Sequence, residues 1–249
     1  MRFQSALLLV VAAVALPGAA LETNRHWSYG GDTGPAHWAA LDRDYGTCGM
    51  GKAQSPIDIR KANVRPENLP PLSFHYRASA LKETNNGHTV QVDVPAGSEM
   101  VVAGHHYVLK QFHFHSPSEE MIGGKRFAMV AHLVHRDRQG HIAVVAILFR
   151  SGQPNVLLAR LWHDLPQGAG QTRKAGPTLN AAELLPDARG YYTYTGSLTT
   201  PPCSEGVRWF VLKSSATLSR EQLAAFAKLY SRNARTVQPL NGRVVLSSK

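Results

Sequence analysis

Cysteine is nearly absent from this chain: Cys48 and Cys203 are the only two in 249 residues. Two thiols cannot build a disulfide-dense scaffold or a four-cysteine structural metal site, so the fold has to rest on a hydrophobic core. Acid is scarce as well, with 17 Asp and Glu against 27 Lys and Arg and a formal charge of +10. That excess invites a nucleic-acid reading, but the cations are scattered and form no tract or stripe. Beyond the first twenty residues no apolar run approaches the roughly 20 residues that cross a bilayer, which argues against membrane insertion of the mature chain. Internal repeats and linker-like shifts in composition are missing too, so residues 21–249 read as one domain.

The first twenty residues differ from the rest. Arg2 precedes an apolar run from Ala6 to Leu16, followed by Pro17 and the small residues Gly18, Ala19 and Ala20. This is the layout of a secretory signal peptide over residues 1–20, removed at a small-residue cleavage site. The mature product is then expected in the periplasm or outside the cell, where an oxidising environment pairs Cys48 with Cys203. Closing so long a loop is worth roughly 5 kcal/mol in the loop-entropy model. Loss of Arg2 takes the charge from +10 to +9. Such a field favours anionic small molecules and anionic surfaces, and export removes the chain from most nucleic acid.

Strand composition dominates what remains. Thr89 to Val94, Tyr107 to His115, Phe127 to His135, Ile142 to Phe149 and Val207 to Leu212 are rich in β-branched or aromatic residues, with turn residues between them. The clearest helix is Ser219 to Tyr230, where Ser219 and Gln222 form a capping-box pattern ahead of Leu223, Phe226 and Leu229. Proline makes Pro66 to Pro71 and Pro201 to Pro202 irregular. These features predict a mainly β (α+β) domain with short peripheral helices.

Chemistry concentrates in Gln111-Phe112-His113-Phe114-His115. On a strand, alternate side chains share a face, so Gln111, His113 and His115 point one way and the two phenylalanines the other. His132 lies in the next strand-like run, which a turn through Gly123-Gly124 folds back alongside. Three neutral imidazoles with an open fourth position are the ligand set of a catalytic zinc site. His135 has the opposite parity and reads as structural, His105 and His106 read as a turn, and His26, His37, His75, His141 and His163 gain no metal role from spacing.

The chain resembles the α-class carbonic anhydrases, particularly the exported bacterial branch, over nearly all of its mature length. Matching segments run in order: Trp27-Ser28-Tyr29-Gly30, Gln54 to Ile59, Asn85-Asn86-Gly87-His88, Gln111 to Glu119, Ala131 to His135, Gly196 to Pro202, and Gln238-Pro239-Leu240 with Arg243. The resemblance implies a single domain on a large twisted, mostly antiparallel central sheet. It also implies reversible hydration of carbon dioxide to bicarbonate, with Zn2+ on His113, His115 and His132 and a metal-activated water as nucleophile. Thr199 matches the residue that orients that nucleophile and Glu119 the carboxylate it bonds. Thr200 is expected beside bicarbonate, and Val134, Val144, Leu198 and Trp209 match the apolar substrate wall. His88 matches the proton shuttle, with Tyr29 and Asn86 ordering its waters, and Gln111 stands behind the metal ligands. The cysteines fall where exported members place their disulfide, and a homodimer is the usual assembly of that branch.

Departures from the pattern carry expectations of their own. Many members have Glu two positions before the third ligand, where it accepts that imidazole's N–H; here the position is Val130. Such partners tune metal affinity about 10- to 100-fold, so weaker zinc retention is expected unless another group substitutes. Glu120 replaces a residue that is often His, and its expected influence is on the charge around Glu119, without contact to the metal or its water. Two other readings fit the same fold: a non-catalytic binding module that has lost its ligands, and a zinc hydrolase acting on esters.

Overall fold

A computed structural model of the protein describes residues 26–174 and 178–249. The expected signal segment, residues 1–20, lies outside the described residues. Six strands build the floor of the molecule: β1 (Val90–Asp93), β2 (His105–His115), β3 (Met129–Arg136), β4 (Ile142–Ser151), β5 (Tyr191–Ser197) and β6 (Glu205–Leu212). They lie side by side in the order β1-β2-β3-β4-β6-β5 inside a 13-stranded sheet. Neighbours are antiparallel except β4 and β6, which run parallel. The sheet is therefore mixed, with antiparallel pairing in the majority.

Sequence explains the central position of β4. Its Ile-Ala-Val-Val-Ala-Ile-Leu-Phe run is apolar without alternation, and Ala143 to Phe149 are all buried. A strand covered on both faces needs such a run, whereas a half-exposed strand alternates. One face carries the larger core, in which Phe112, Phe114, Leu133, Val145, Ile147 and Phe210 meet Leu157, Leu158 and Leu161 from a short helix. A second helix, α1 (Arg220–Leu229), closes this side with Phe226 against Phe114 and Trp162. Its start is fixed as the sequence predicts: Ser219 Oγ accepts from the Gln222 N–H at 3.2 Å, and Gln222 Oε1 accepts from the Ser219 N–H at 3.0 Å. The opposite face holds a smaller cluster of Val130, Val144, Ala146, Trp209 and Val211, and the histidines open onto this side.

Three expectations need correction. Pro66 is not in an irregular stretch but within a strand, Val64–Glu67, that pairs in parallel with Val245–Ser248 at the end of the sheet order. An edge strand tolerates proline because one side of its backbone has no ladder to feed. His105 and His106 are the first residues of β2, and the turn precedes them at Ala103 and Gly104, both at positive φ. The Gly123-Gly124 turn exists, at φ +59° and +80°, but closes a small hairpin between Met121–Ile122 and Lys125–Arg126. Both glycines adopt left-handed backbone, which a β-carbon disfavours.

The disulfide forms as expected: Cys48 and Cys203 are bonded, with Cα atoms 5.0 Å apart. It anchors the segment carrying Thr199 and Thr200 to the region near the start of the described chain, where Trp38 is buried beside it. Among the described residues no helix is long and apolar enough to cross a membrane.

Candidate metal centre and catalytic cleft

Cross-strand register assembles the centre. Gln91, His113, His132, Ala146 and Val211 form one row across the sheet, one residue from each of β1, β2, β3, β4 and β6. His115, two residues beyond His113 on the same face, pairs with Val130. The ring centroids of His113, His115 and His132 are 4.8 to 5.5 Å apart. One nitrogen from each lies within 4.8 Å of the others, the one such group among the described residues.

Each ring has its other nitrogen committed. His113 Nδ1 meets Gln111 Oε1 at 2.8 Å, His115 Nδ1 meets the Asn233 carbonyl at 2.7 Å, and His132 Nε2 meets Glu120 Oε1 at 2.9 Å. This leaves Nε2, Nε2 and Nδ1 respectively to face the common point. His115 Nε2 is buried and has no hydrogen-bond partner among the described residues. Buried polar atoms rarely go unpaired, so this orphan marks where a ligand belongs. Burial holds His113 down to about 3, with His132 adding to the shift, and holds His115 well below the usual range. Both are thus neutral near pH 7, the form that binds a metal. Burial also pulls His132 down, but the charge and hydrogen bond of Glu120, together with Glu119, outweigh it and raise the group overall.

Glu119 is wholly buried behind the centre, and its Oε1 accepts the Arg235 N–H at 2.8 Å. Burial pushes this carboxyl up to about 7, against the pull of His132 and with a push from Glu120. The Thr199 hydroxyl lies close enough to lower it, although among the described residues Glu119 Oε2 has no partner in good hydrogen-bond geometry. Next to the histidine row, the register aligns Gln111, Val134, Val144, Trp209 and Tyr194. Leu198 packs against the same cluster, and the Trp209 ring meets His132 edge-on at 4.9 Å. The four apolar residues named from sequence are thus brought to one wall beside the centre.

His26, Trp27, Tyr29, His88, Tyr230 and Arg232 line a cleft. His88 stacks on Trp27 at 3.6 Å and on His26 at 4.9 Å. Burial in that stack lowers its pKa to about 4, with His26 contributing. Asn86 holds the turn below it, its Oδ1 accepting from the N–H groups of His88 and Thr89. Tyr29 lies edge-on to His115 at 6.4 Å, and burial, with Glu119 adding, raises its phenol well above the usual range.

Sequence reasoning missed Asn233, Arg235 and the role of Glu120. Asn233 and Arg235 lie in a stretch without regular structure, so periodicity gave no signal. Arg235 is buried; its guanidinium donates to Gln54 Oε1 and to the carbonyls of Ser55 and Cys48, tying the Glu119 support to the disulfide region. The exception allowed for at Val130 is met: another group, the Glu120 carboxylate, takes the place beside His132. Glu120 raises the Glu119 pKa as expected and in addition bonds His132 directly, a contact the sequence did not announce. His135 points to the other face as expected, bonded to Tyr76 Oη at 2.6 Å.

Three convergent imidazoles, a buried acid behind them and an apolar wall on a broad sheet define a class of enzyme. Residues 33–249 match the eukaryotic-type carbonic anhydrase family, to which the chain belongs. It is accordingly a carbonic anhydrase, a lyase acting on carbon dioxide and bicarbonate. A carbonic anhydrase of Klebsiella pneumoniae is 46% identical over 224 residues, 89% of this chain and 90% of the relative. One from Neisseria gonorrhoeae is 41% identical over 241 residues, 96% of this chain and 94% of its own. The solved α-carbonic anhydrase of Thermovibrio ammonificans, in complex with the inhibitor sulfanilamide, superposes with a TM-score of 0.87 at 46% identity. That match covers 89% of this chain and 98% of the other.

Proposed function

We propose that His113, His115 and His132 hold a zinc ion at which carbon dioxide is hydrated reversibly to bicarbonate and a proton. The observation that carries this reading is the convergence of three imidazole nitrogens whose opposite nitrogens are all engaged. A donor set of three neutral nitrogens with room for a fourth ligand suits catalytic zinc. A zinc ion held there lowers the pKa of water to about 7 and so supplies a nucleophile, carbonic anhydrase being the standard example of the effect.

The chain's own residues supply position. Glu119, fixed by the Arg235 amide, accepts from the Thr199 hydroxyl, which leaves a Thr199 lone pair to accept a hydrogen bond from the nucleophile and aim its attack. Val134, Val144, Leu198 and Trp209 exclude water and receive the apolar substrate, and Thr200 contacts the bicarbonate product. His88 relays the released proton toward solvent, with Tyr29 and Asn86 beside the path. The segment 1–20 directs export, consistent with the Cys48–Cys203 disulfide.

Stopped-flow carbon dioxide hydration and metal analysis on the purified protein test this. One zinc per chain is expected, with activity lost to a chelator and restored by zinc. His113→Ala should lose both the metal and hydration while staying folded. Full activity in folded, metal-free protein would refute the reading; ester cleavage without hydration would favour a hydrolase.

A further inference from the structure

The three rings of the centre are held by unlike acceptors: a side-chain amide, a backbone carbonyl and one carboxylate, Glu120. The carboxylate comes from the 116–120 loop and not from the ring's own strand. Both Glu120 and His132 are essentially inaccessible, with side chains 0% and 1% exposed. A buried carboxylate is tolerated only where it meets charge or hydrogen-bond donors, so this contact is not incidental. The loop is itself pinned. Ser118 Oγ donates to the Glu120 carbonyl at 2.7 Å and accepts from the Phe127 N–H at 2.9 Å, the Ser118 N–H donates to the Phe127 carbonyl at 3.0 Å, and Arg126 caps the Ser118 and Glu119 carbonyls. On the strand, the same-face neighbour of His132 is Val130, which belongs to the apolar cluster and offers no acceptor.

We infer that Glu120 is the positioning residue for His132: it occupies Nε2, fixes the ring, and presents Nδ1 to the metal, so that a loop carboxylate performs the task left vacant by Val130. This rests on the zinc reading above. Its consequence is that Val130 is not a weak point. A glutamate added at 130 would bring a second carboxylate to a ring that already has one, and like charges in a buried site repel. The effect of Val130→Glu should therefore change sign with the residue at 120.

The test is a chelator competition for Zn2+ on four proteins: wild type, Glu120→Gln, Val130→Glu and the double variant, with thermal melting of each in metal-free form. Glu120→Gln is nearly isosteric and keeps the loop filled. Outer-shell partners of zinc-binding histidines are worth about 10- to 100-fold in affinity, and a loss in that range is expected for Glu120→Gln. Val130→Glu alone should weaken binding, a gain there overturning the inference, and in the Glu120→Gln background it should recover most of the loss. Unchanged affinity in folded Glu120→Gln would overturn the inference. A loss that Val130→Glu does not recover would overturn it too, since the loop would then be acting through packing alone. Wild type that binds no zinc sinks the zinc reading and this inference with it; wild type that binds zinc while Glu120→Gln binds it equally sinks this inference only.

Discussion

The two faces of the central strands share one backbone and carry opposite chemistry. On one face Phe112, Phe114, Leu133, Val145, Ile147 and Phe210 interlock in a dry core. One residue along, the other face presents His113, His115 and His132 beside Val144 and Trp209. Apart from the His135–Tyr76 contact, the dry face needs volume, since packing is not directional. The polar face needs a partner for every buried nitrogen and oxygen, and no strand can supply them all. Gln111 serves His113 from its own strand, and the other partners arrive from distant loops: Glu119 and Glu120 from one, Asn233 and Arg235 from another. The asymmetry teaches that stability and chemistry are separable here by the parity of a single strand position.

The separation can be attacked from both sides. Phe112→Ala should cost about 3–5 kcal/mol in denaturant unfolding, as cavities of that size do, while zinc stoichiometry stays the same. Metal loss without a loss of stability in that variant would break the comparison. His135 gives a finer cut, because it is a buried histidine on the dry face. Burial lowers its pKa from 6.5 to about 4, partly opposed by the Ala143 and Leu133 backbone. Below pH 6.5 the unfolded chain takes a proton that the folded ring refuses until about pH 4, so stability falls as pH drops through that window. The difference amounts to about 3 kcal/mol. His135→Gln should flatten this acid limb, and an unchanged slope would show that His135 does not set it. The smallest effect is expected at the cleft. His88→Ala should slow turnover in weak buffer about tenfold, below the roughly 10²- to 10⁴-fold typical of acid–base groups because its pKa of about 4 lies well under 7, and imidazole should restore the rate. Turnover that does not change would remove His88 from proton transfer.

What could be read in advance follows the same division. The parity of Gln111, His113 and His115 placed three side chains on one face, and the capping box of Ser219 and Gln222 placed a helix start, because both are local regularities with a fixed period. The pairing of His113 with His132 was reachable because strands adjacent in sequence tend to pair. The Glu120 contact was not. It depends on how a loop without period returns over the sheet, and on a valine at 130 whose meaning appears only beside that loop. The stack of His88 on Trp27 joins residues far apart in the chain, and nothing in either segment announces it. Pro66 was misread because proline signals a break only where both sides of a strand are needed.

Pairing His113 with His132 residue for residue makes the sheet itself a ruler. Adjacent strands sit about 4.8 Å apart and same-face neighbours about 6.7 Å apart along a strand, distances set by peptide hydrogen bonding and not by side chains. The dimensions of the centre are inherited from those two repeats. Drift in sequence around it can be absorbed, but a single-residue insertion or deletion in β2 or β3 would turn an imidazole to the wrong side unless a bulge took it up, as one does between Val134 and His135 just outside the centre.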